Sequence, residues 1–255
     1  MTRRSRLLGM TEANATHAQV NRLLLDQFAD LLAADPWDIA LLQEAPPRWL
    51  RALCCRTHAS GASALTSRNL GALTRGWVAD RRPDLIGSAE GGSNMLLVRR
   101  PWRIDQVRRL TLTRRPERRR MLWARVAEQG GRVVAVANLH ASAHDRLAAT
   151  AETMRGAERA DDWATTGALI FGGDLNLRPL RDGPVFAELE DRFGLSPPTA
   201  ADAIDHLLVR GLLVIESPRQ LEPAWREVEY ELRTGSRRLV RLSDHAPVVA
   251  ELALP

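Results

Sequence analysis

The sequence predicts a mixed α/β protein in which β-sheets pack face to face and helices lie outside them. Three observations lead there. Apolar runs of strand length follow one another with few helical stretches between, unlike the regular alternation of a doubly wound sheet or a barrel. One strongly amphipathic helical stretch stands near the start. Several apolar runs end in a carboxylate, amide or imidazole, as strands do where their ends form a polar rim. With 255 residues, 45% of them hydrophobic, the chain can bury one large core, and the expectation is a single domain over 1–255.

The elements follow in order. Leu7 to Asn14 reads as a first strand. His17 to Ala34 carries Val20, Leu23, Leu24, Phe28, Leu31 and Leu32 at the spacing of one helix face. Asp38 to Gln43, after the turn pair Asp35-Pro36, reads as a buried strand, and Ser93 to Arg99 as another. Trp102 to Thr113, Met121 to Glu128 and Arg132 to Leu139 form a run of three, with Gln129-Gly130-Gly131 as the hairpin turn between the last two. Asp145 to Trp163 reads as an exposed helix capped by His144. Leu169 to Asp174, Ala203 to Val209 and Ala246 to Leu252 complete the strands.

Composition narrows the partners. The net charge is +5, and all 36 basic residues are Arg. A guanidinium fork suits phosphate oxygens, although a bias toward Arg codons accounts for the same composition. The two cysteines, Cys54 and Cys55, are adjacent, so they build neither a disulfide framework nor a thiolate zinc site. They read as small buried hydrophobes in a reducing compartment. The basic Met1 to Arg6 is followed by too short an apolar run for a signal peptide, and no stretch is long enough to span a bilayer. The expectation is a soluble cytoplasmic protein.

Five short segments carry chemistry: Gln43-Glu44, Asn138-Leu139-His140, Gly172-Gly173-Asp174-Leu175-Asn176, Ile204-Asp205-His206 and Ser243-Asp244-His245. Each places polar groups at or just beyond an apolar strand. Singly they are weak: Glu44 also suits a helix cap, and Asp205 a satisfied polar group at a strand edge. Asp174 and Asn176 alternate on an extended segment, so both can face one site. Asp244-His245 sets a hard-oxygen ligand beside a titratable imidazole. His206, next to Asp205, is expected on the opposite face of its strand, and His17 and His58 in solvent.

Taken in order, these five segments resemble the signature of the endonuclease/exonuclease/phosphatase superfamily, over nearly the whole chain. The resemblance implies a four-layer α/β sandwich of two mixed β-sheets packed face to face, helices outside, with the site at one end of the sheets. It implies a Mg²⁺-dependent phosphoesterase, with Mn²⁺ an alternative. Glu44 would be the central metal ligand, Asp244 a second acid near it, and Asn14 a further metal or phosphate ligand. Asp174 would align or activate the attacking water, and Asn176 would bind phosphate. His245, held by Asp205, would be the base or a phosphate-contacting imidazole, and His140 the second imidazole. The first motif departs from the family pattern, since Glu12-Ala13-Asn14-Ala15 lacks the usual aromatic. The donor types agree with the metal, because Mg²⁺ takes oxygen ligands and needs only one or two carboxylates besides substrate phosphate.

Arginines cluster at Arg114-Arg115, at Arg118-Arg119-Arg120 and between Arg233 and Arg241. They suit either a solvated face or contact with the phosphates of a polyanion. Three readings of the substrate stay open: DNA or RNA phosphodiesters, a small-molecule or lipid-headgroup phosphate, or an inactive member that binds an anion.

Overall fold

A computed structural model describes residues 24–66, 92–164, 167–231, 235 and 237–255. Three strands form one antiparallel sheet: β1 (Ile39–Ala45), β2 (Ala59–Leu65) and β3 (Ser93–Arg99), in the order β1-β3-β2. Five form a second: β4 (Trp102–Thr113), β5 (Arg119–Glu128), β6 (Val133–His140), β7 (Leu169–Asp174) and β8 (Asp205–Arg210), in sequence order. Only the β6–β7 pair is parallel within that sheet, and the 18-residue helix α3 (Arg146–Trp163) makes its crossover. Helices α1 (Leu25–Ala34), α2 (Trp49–Arg56) and α4 (Pro179–Phe193) complete the described α-helices. Beyond the two sheets, β9 (Leu213–Gln220) pairs with β12 (Val248–Ala253), and β10 (Glu227–Glu231) with β11 (Arg237–Arg241).

Strand alternation decides the layering. On β3, Met95 and Leu97 pack against Ala29, Leu32 and Leu53 of α1 and α2, while Leu96 and Val98 turn to the other sheet. There they meet Leu122, Ala124 and Val126 of β5 and Val134 and Val136 of β6. The odd-numbered neighbours Met121, Trp123, Ala137, Leu139, Leu169 and Phe171 face α3 and α4, through Ala149, Ala157, Phe186 and Leu189. The order is helices, sheet, sheet, helices, with three apolar cores between four layers. Strands buried on both faces read as unbroken apolar runs, which is why the sequence betrays their existence and not their alternation.

Several expectations change. Residues 1–23 lie outside the described set, so the strand expected at 7–14, Asn14, His17 and the first turns of the 17–34 helix do too. Helix α3 is half-buried rather than exposed, because its small residues Ala149, Gly156, Ala157 and Ala160 lie on the sheet. Its cap is Asp145, whose Oδ1 accepts from Ala148 N at 3.0 Å, not His144. Cys55 is exposed and Cys54 half-buried, since both stand on the outermost helix layer. Among the described residues no helix is long and apolar enough to cross a membrane.

Polar side chains also join the two sheets: Asn94 Nδ2 of β3 donates to Arg120 O at 2.7 Å, Arg109 Nε of β4 donates to Ser63 O at 2.7 Å, and Asn138 makes the fullest connection. Asn138 of β6 is fully buried and points between them. Its Nδ2 donates to Leu42 O at 3.0 Å and Met95 O at 2.7 Å, and its Oδ1 accepts from Gln43 Nε2 at 2.7 Å. The contact sits at a β-bulge: the register runs from Leu42↔Met95 to Ala45↔Ser93, so β1 spends one more residue than β3. Beside the bulge the amide donates to a carbonyl of each of the two strands. Glu44 lies in it at φ 55°, which turns its side chain out to the rim. Gly173 of β7 completes the fit, at φ 117°, because a Cβ there would stand 2.0 Å from Leu139 O and 2.9 Å from Asn138 Oδ1.

Asn138→Leu keeps the shape but leaves the two carbonyls unpaired in a buried place. At roughly 1–3 kcal/mol for each orphaned group, we expect a loss of about 2–6 kcal/mol, read as a lower midpoint in urea denaturation. An unchanged midpoint would mean that packing, with the Asn94 and Arg109 bonds, holds the sheets in register without it.

Candidate active site

The ends of β6, β7 and β8 meet at one rim. The register pairs His140 with Asp174, and Asp174 with Asp205. By alternation all three face between the sheets, as Asn138 does. His206, the next residue, points the other way, as expected. It is buried against Phe186, ring centroids 4.9 Å apart, with Nε2 3.0 Å from Leu177 O and Nδ1 accepting from Thr199 N. Its role is packing.

Across the gap stands Glu44, 77% exposed, with Oε1 3.8 Å from His140 Nδ1, too far for a hydrogen bond. The Asn138 brace thus sets a carboxylate of one sheet against an imidazole of the other. The loop after β11 brings Asp244 and His245 to the same rim. His245 Nδ1 lies 2.9 Å from Asp205 Oδ2, and its backbone N donates to Ser243 Oγ at 3.1 Å. Asp174, Asp205 and His245 each place a ligand atom within 4.8 Å of the others. Asn176, in the left-handed conformation at φ 53°, donates its backbone N to Asp174 Oδ1 at 3.0 Å and one N–H of its amide to Ala141 O at 3.1 Å. The seven expected site residues among those described therefore gather around one edge, Asp244 being the outermost and exposed.

The charges are held in distinct states. The hydrogen bond that His245 Nδ1 donates to Asp205, and then the charge of Asp205, push His245 up to about 9, so the ring is an imidazolium at neutral pH. Burial, then the Arg119 guanidinium, push His140 down to about 3, so that ring is neutral. Burial and the neighbouring Asp205 push Asp174 up to about 7, with Glu44 adding to the crowding of anions.

Two arginines complete the site, and neither was expected there. Arg119 Nη1 lies 3.3 Å from His140 Nε2, its Nη2 pairs with Glu117 at 3.0 Å, and only 11% of its side chain is exposed. The sequence left its run open between a solvated face and contact with phosphates; the structure sets its guanidinium against His140. Arg226, in the 3₁₀ turn Pro223–Arg226, is 7% exposed, with Nε and Nη1 unpartnered, in electrostatic reach of Asp244 and Asp205. A lone Arg before Glu227 carries no sequence signal; its burial does. By contrast, Arg237 pairs with Glu229 at 3.4 Å and Arg241 with Glu227, so the described ends of that late arginine run are neutralised across the β10–β11 ladder.

The donor set fits a hard divalent cation. Glu44 and Asp244 supply carboxylate oxygen, Asp205 and Glu44 crowd Asp174 beside them, and His140 Nδ1 is buried without a hydrogen-bond partner. The cluster of Asp174, Asp205 and His245 is less suited to share an ion, because Asp205 already holds the protonated ring of His245.

The family model described as Endonuclease/Exonuclease/phosphatase family matches residues 18–245. The chain belongs to this family. Its members are hydrolases of phosphate esters and typically depend on a divalent metal. No curated protein matches the chain. Solved structures share the fold at low identity. A conserved protein of unknown function from Enterococcus faecalis is 17% identical, with 91% of each chain covered and a TM-score of 0.66. A mannosyl-6-phosphatase from Bacteroides thetaiotaomicron is 14% identical, with 90% of each chain covered and a TM-score of 0.64. D. rerio TDP2 complexed with single-strand DNA product is 15% identical, covering 90% of this chain and 93% of that one, with a TM-score of 0.57.

The Asp205–His245 pair makes a pH prediction. His245 is raised, so the stability it contributes is full below the ordinary value of 6.5 and is lost as pH rises through about 9. Asp205→Asn removes the largest upward pull and leaves burial opposed only by the charges of Asp174 and Asp244. In chelator, the His245 ring resonances in an NMR titration should then move from about 9 down toward 6.5. A titration left near 9 would show that the two side chains do not pair in solution.

Proposed function

We propose that this chain is a Mg²⁺-dependent hydrolase of phosphodiester bonds and that nucleic acid is its substrate. The observation that carries the reading is the Asp205–His245 pair, at 2.9 Å, on the rim that also holds Asp174 and faces Glu44. Glu44 and Asp244 are assigned to the metal, together with Asn14. Held there, Mg²⁺ would supply positive charge against the charge that grows on the phosphoryl oxygens.

The protein groups divide the remaining work. Asp174, raised to about 7, accepts a proton from the attacking water as the new O–P bond forms. Asn176 N, bonded to Asp174 Oδ1, leaves Oδ2 to the water. The imidazolium of His245 keeps its proton at neutral pH, so it acts as donor to a phosphoryl oxygen rather than as base. Asp205 orients that ring, and the second amide N–H of Asn176 is available to the same phosphate. His140, neutral and fixed by Arg119, completes the polar wall. As the ester P–O bond breaks, the leaving oxygen is protonated from solvent.

Three features favour nucleic acid: the net charge of +5, the open rim, and arginines on the β4–β5 hairpin beside the site. A protein of the same fold, D. rerio TDP2, has been captured with a single-strand DNA product.

Purified protein with Mg²⁺ should cleave duplex DNA, single strands or RNA, and chelator should abolish the activity. Turnover confined to phosphate monoesters would replace this reading with that of a small-molecule phosphatase. Glu44→Gln should keep the fold and weaken Mg²⁺ binding in calorimetry by roughly 10–100-fold, at least the range seen when only the surroundings of a metal ligand are altered. Unchanged affinity would make Glu44 structural. Asp205→Asn and His245→Ala should each lower the rate roughly 10²–10⁴-fold, with the double variant little worse than either. Multiplying losses would separate the two residues.

A further inference from the structure

We propose that the cleft lined by Thr111, Arg114, Arg118 and Arg120 is a second anion site, which holds a phosphate of the substrate strand next to the one being cleaved. The inference rests on the phosphodiesterase reading of the neighbouring rim in making both phosphates part of one strand.

Position is the first argument. The ladder pairs Thr111 with Arg120 and Met121 with Leu139, so the next step sets Arg120 opposite His140. His140 pairs with Asp174, and Asp174 with Asp205. Thr111, Arg120, His140, Asp174 and Asp205 thus form one row across the end of the five-stranded sheet, and alternation turns all of them between the sheets. Adjacent strands lie about 4.8 Å apart, so Arg120 stands roughly 10 Å from Asp174. Arg120 is bonded to Thr111 on β4, on the side away from Asp174, so its fork leans along the row from the phosphate under attack toward the next one. Two consecutive phosphates of a strand lying along the row can reach both.

Charge is the second. The cleft, ≈ 340 Å³, has three guanidinium groups in its lining, and Arg109 stands close by. Burial and then Arg118, Arg109 and Arg114 push Arg120 below its usual range, the sign of cations crowding one another. Among the described residues no carboxylate pairs with Arg109, Arg114 or Arg120, whereas Arg56, Arg210 and Arg241 each have one. The lining is also held in place. Arg120 Nε donates to Thr111 Oγ1 at 3.1 Å, Arg118 Nε to Thr66 O at 3.0 Å, and Arg109 Nε to Ser63 O at 2.7 Å. Thr111 accepts there and keeps its own O–H to donate. Pre-placed forks of this kind match phosphate oxygens, and a phosphate would relieve the repulsion that the fold sustains.

Fluorescent single-stranded oligonucleotide, titrated in chelator so that nothing turns over, tests this. Arg114→Glu, on the exposed hairpin, and Arg120→Gln should each weaken binding about tenfold or more. Each should also make the slope of log K against log salt shallower by roughly 0.7, the share of one single-strand phosphate. Arg132→Gln, in the turn between β5 and β6 at the opposite end of the sheet, should leave both unchanged. If Arg114→Glu and Arg120→Gln bind as the wild type does, or if Arg132→Gln is equally impaired, the cleft is no site and the proposal falls, although wild-type cleavage of nucleic acid would leave the phosphodiesterase reading standing. If the wild type neither binds nor cleaves any nucleic acid, that reading falls and the inference with it.

Discussion

Two sheets that touch only through apolar side chains can slide, and a site divided between them would slide too. The Asn138 amide removes that freedom. By bonding Leu42 O, Met95 O and Gln43 at once, it ties the second sheet to β1 and β3 of the first beside the bulge. Glu44 therefore stands at a set distance from His140 rather than somewhere along the rim. The same constraint explains why β7 carries glycine at 173: the close approach that lets the amide reach across leaves no room for a Cβ.

With the frame set, one environment produces three protonation behaviours. His245 gains a carboxylate and holds its proton. His140 gains a guanidinium and burial and gives its proton up. Asp174 is crowded by other acids and sits near neutrality. Pairs of titratable groups pushed apart in this way divide the donor and acceptor tasks of an acid–base reaction. The row that carries them continues through Arg120 to Thr111, so chemistry and cation cleft share one strand-to-strand register.

Much of this was legible in the sequence. Strands that end in a polar group announced the rim, and Ser93 to Arg99 and Trp102 to Thr113 have the expected bounds. Helix α2 and strand β2 went unread because Trp49 to Arg56 mixes apolar and basic residues, and Ala59 to Leu65 is built from small ones with little strand preference. Arg119 and Arg226 were illegible for another reason. An arginine in a run of arginines, or alone in a turn, has no pattern; only the ladder and the burial distinguish it. Asn138 stood inside a recognised motif, yet its work as a brace depends on carbonyls of two strands in the other sheet.

Glu44 occupies a backbone conformation that glycine and asparagine tolerate better than glutamate does, at a cost of order 1–3 kcal/mol. Its charge also adds to the crowding at Asp174. Folding therefore opposes this residue twice, and only the chemistry at the rim argues for keeping it. Drift that replaced it by asparagine would relax the chain as it silenced the site. Selection for a sturdier protein and selection for an active one thus pull in opposite directions at this single position, and a lineage released from the need for catalysis would find its inactive form the easier one to fold.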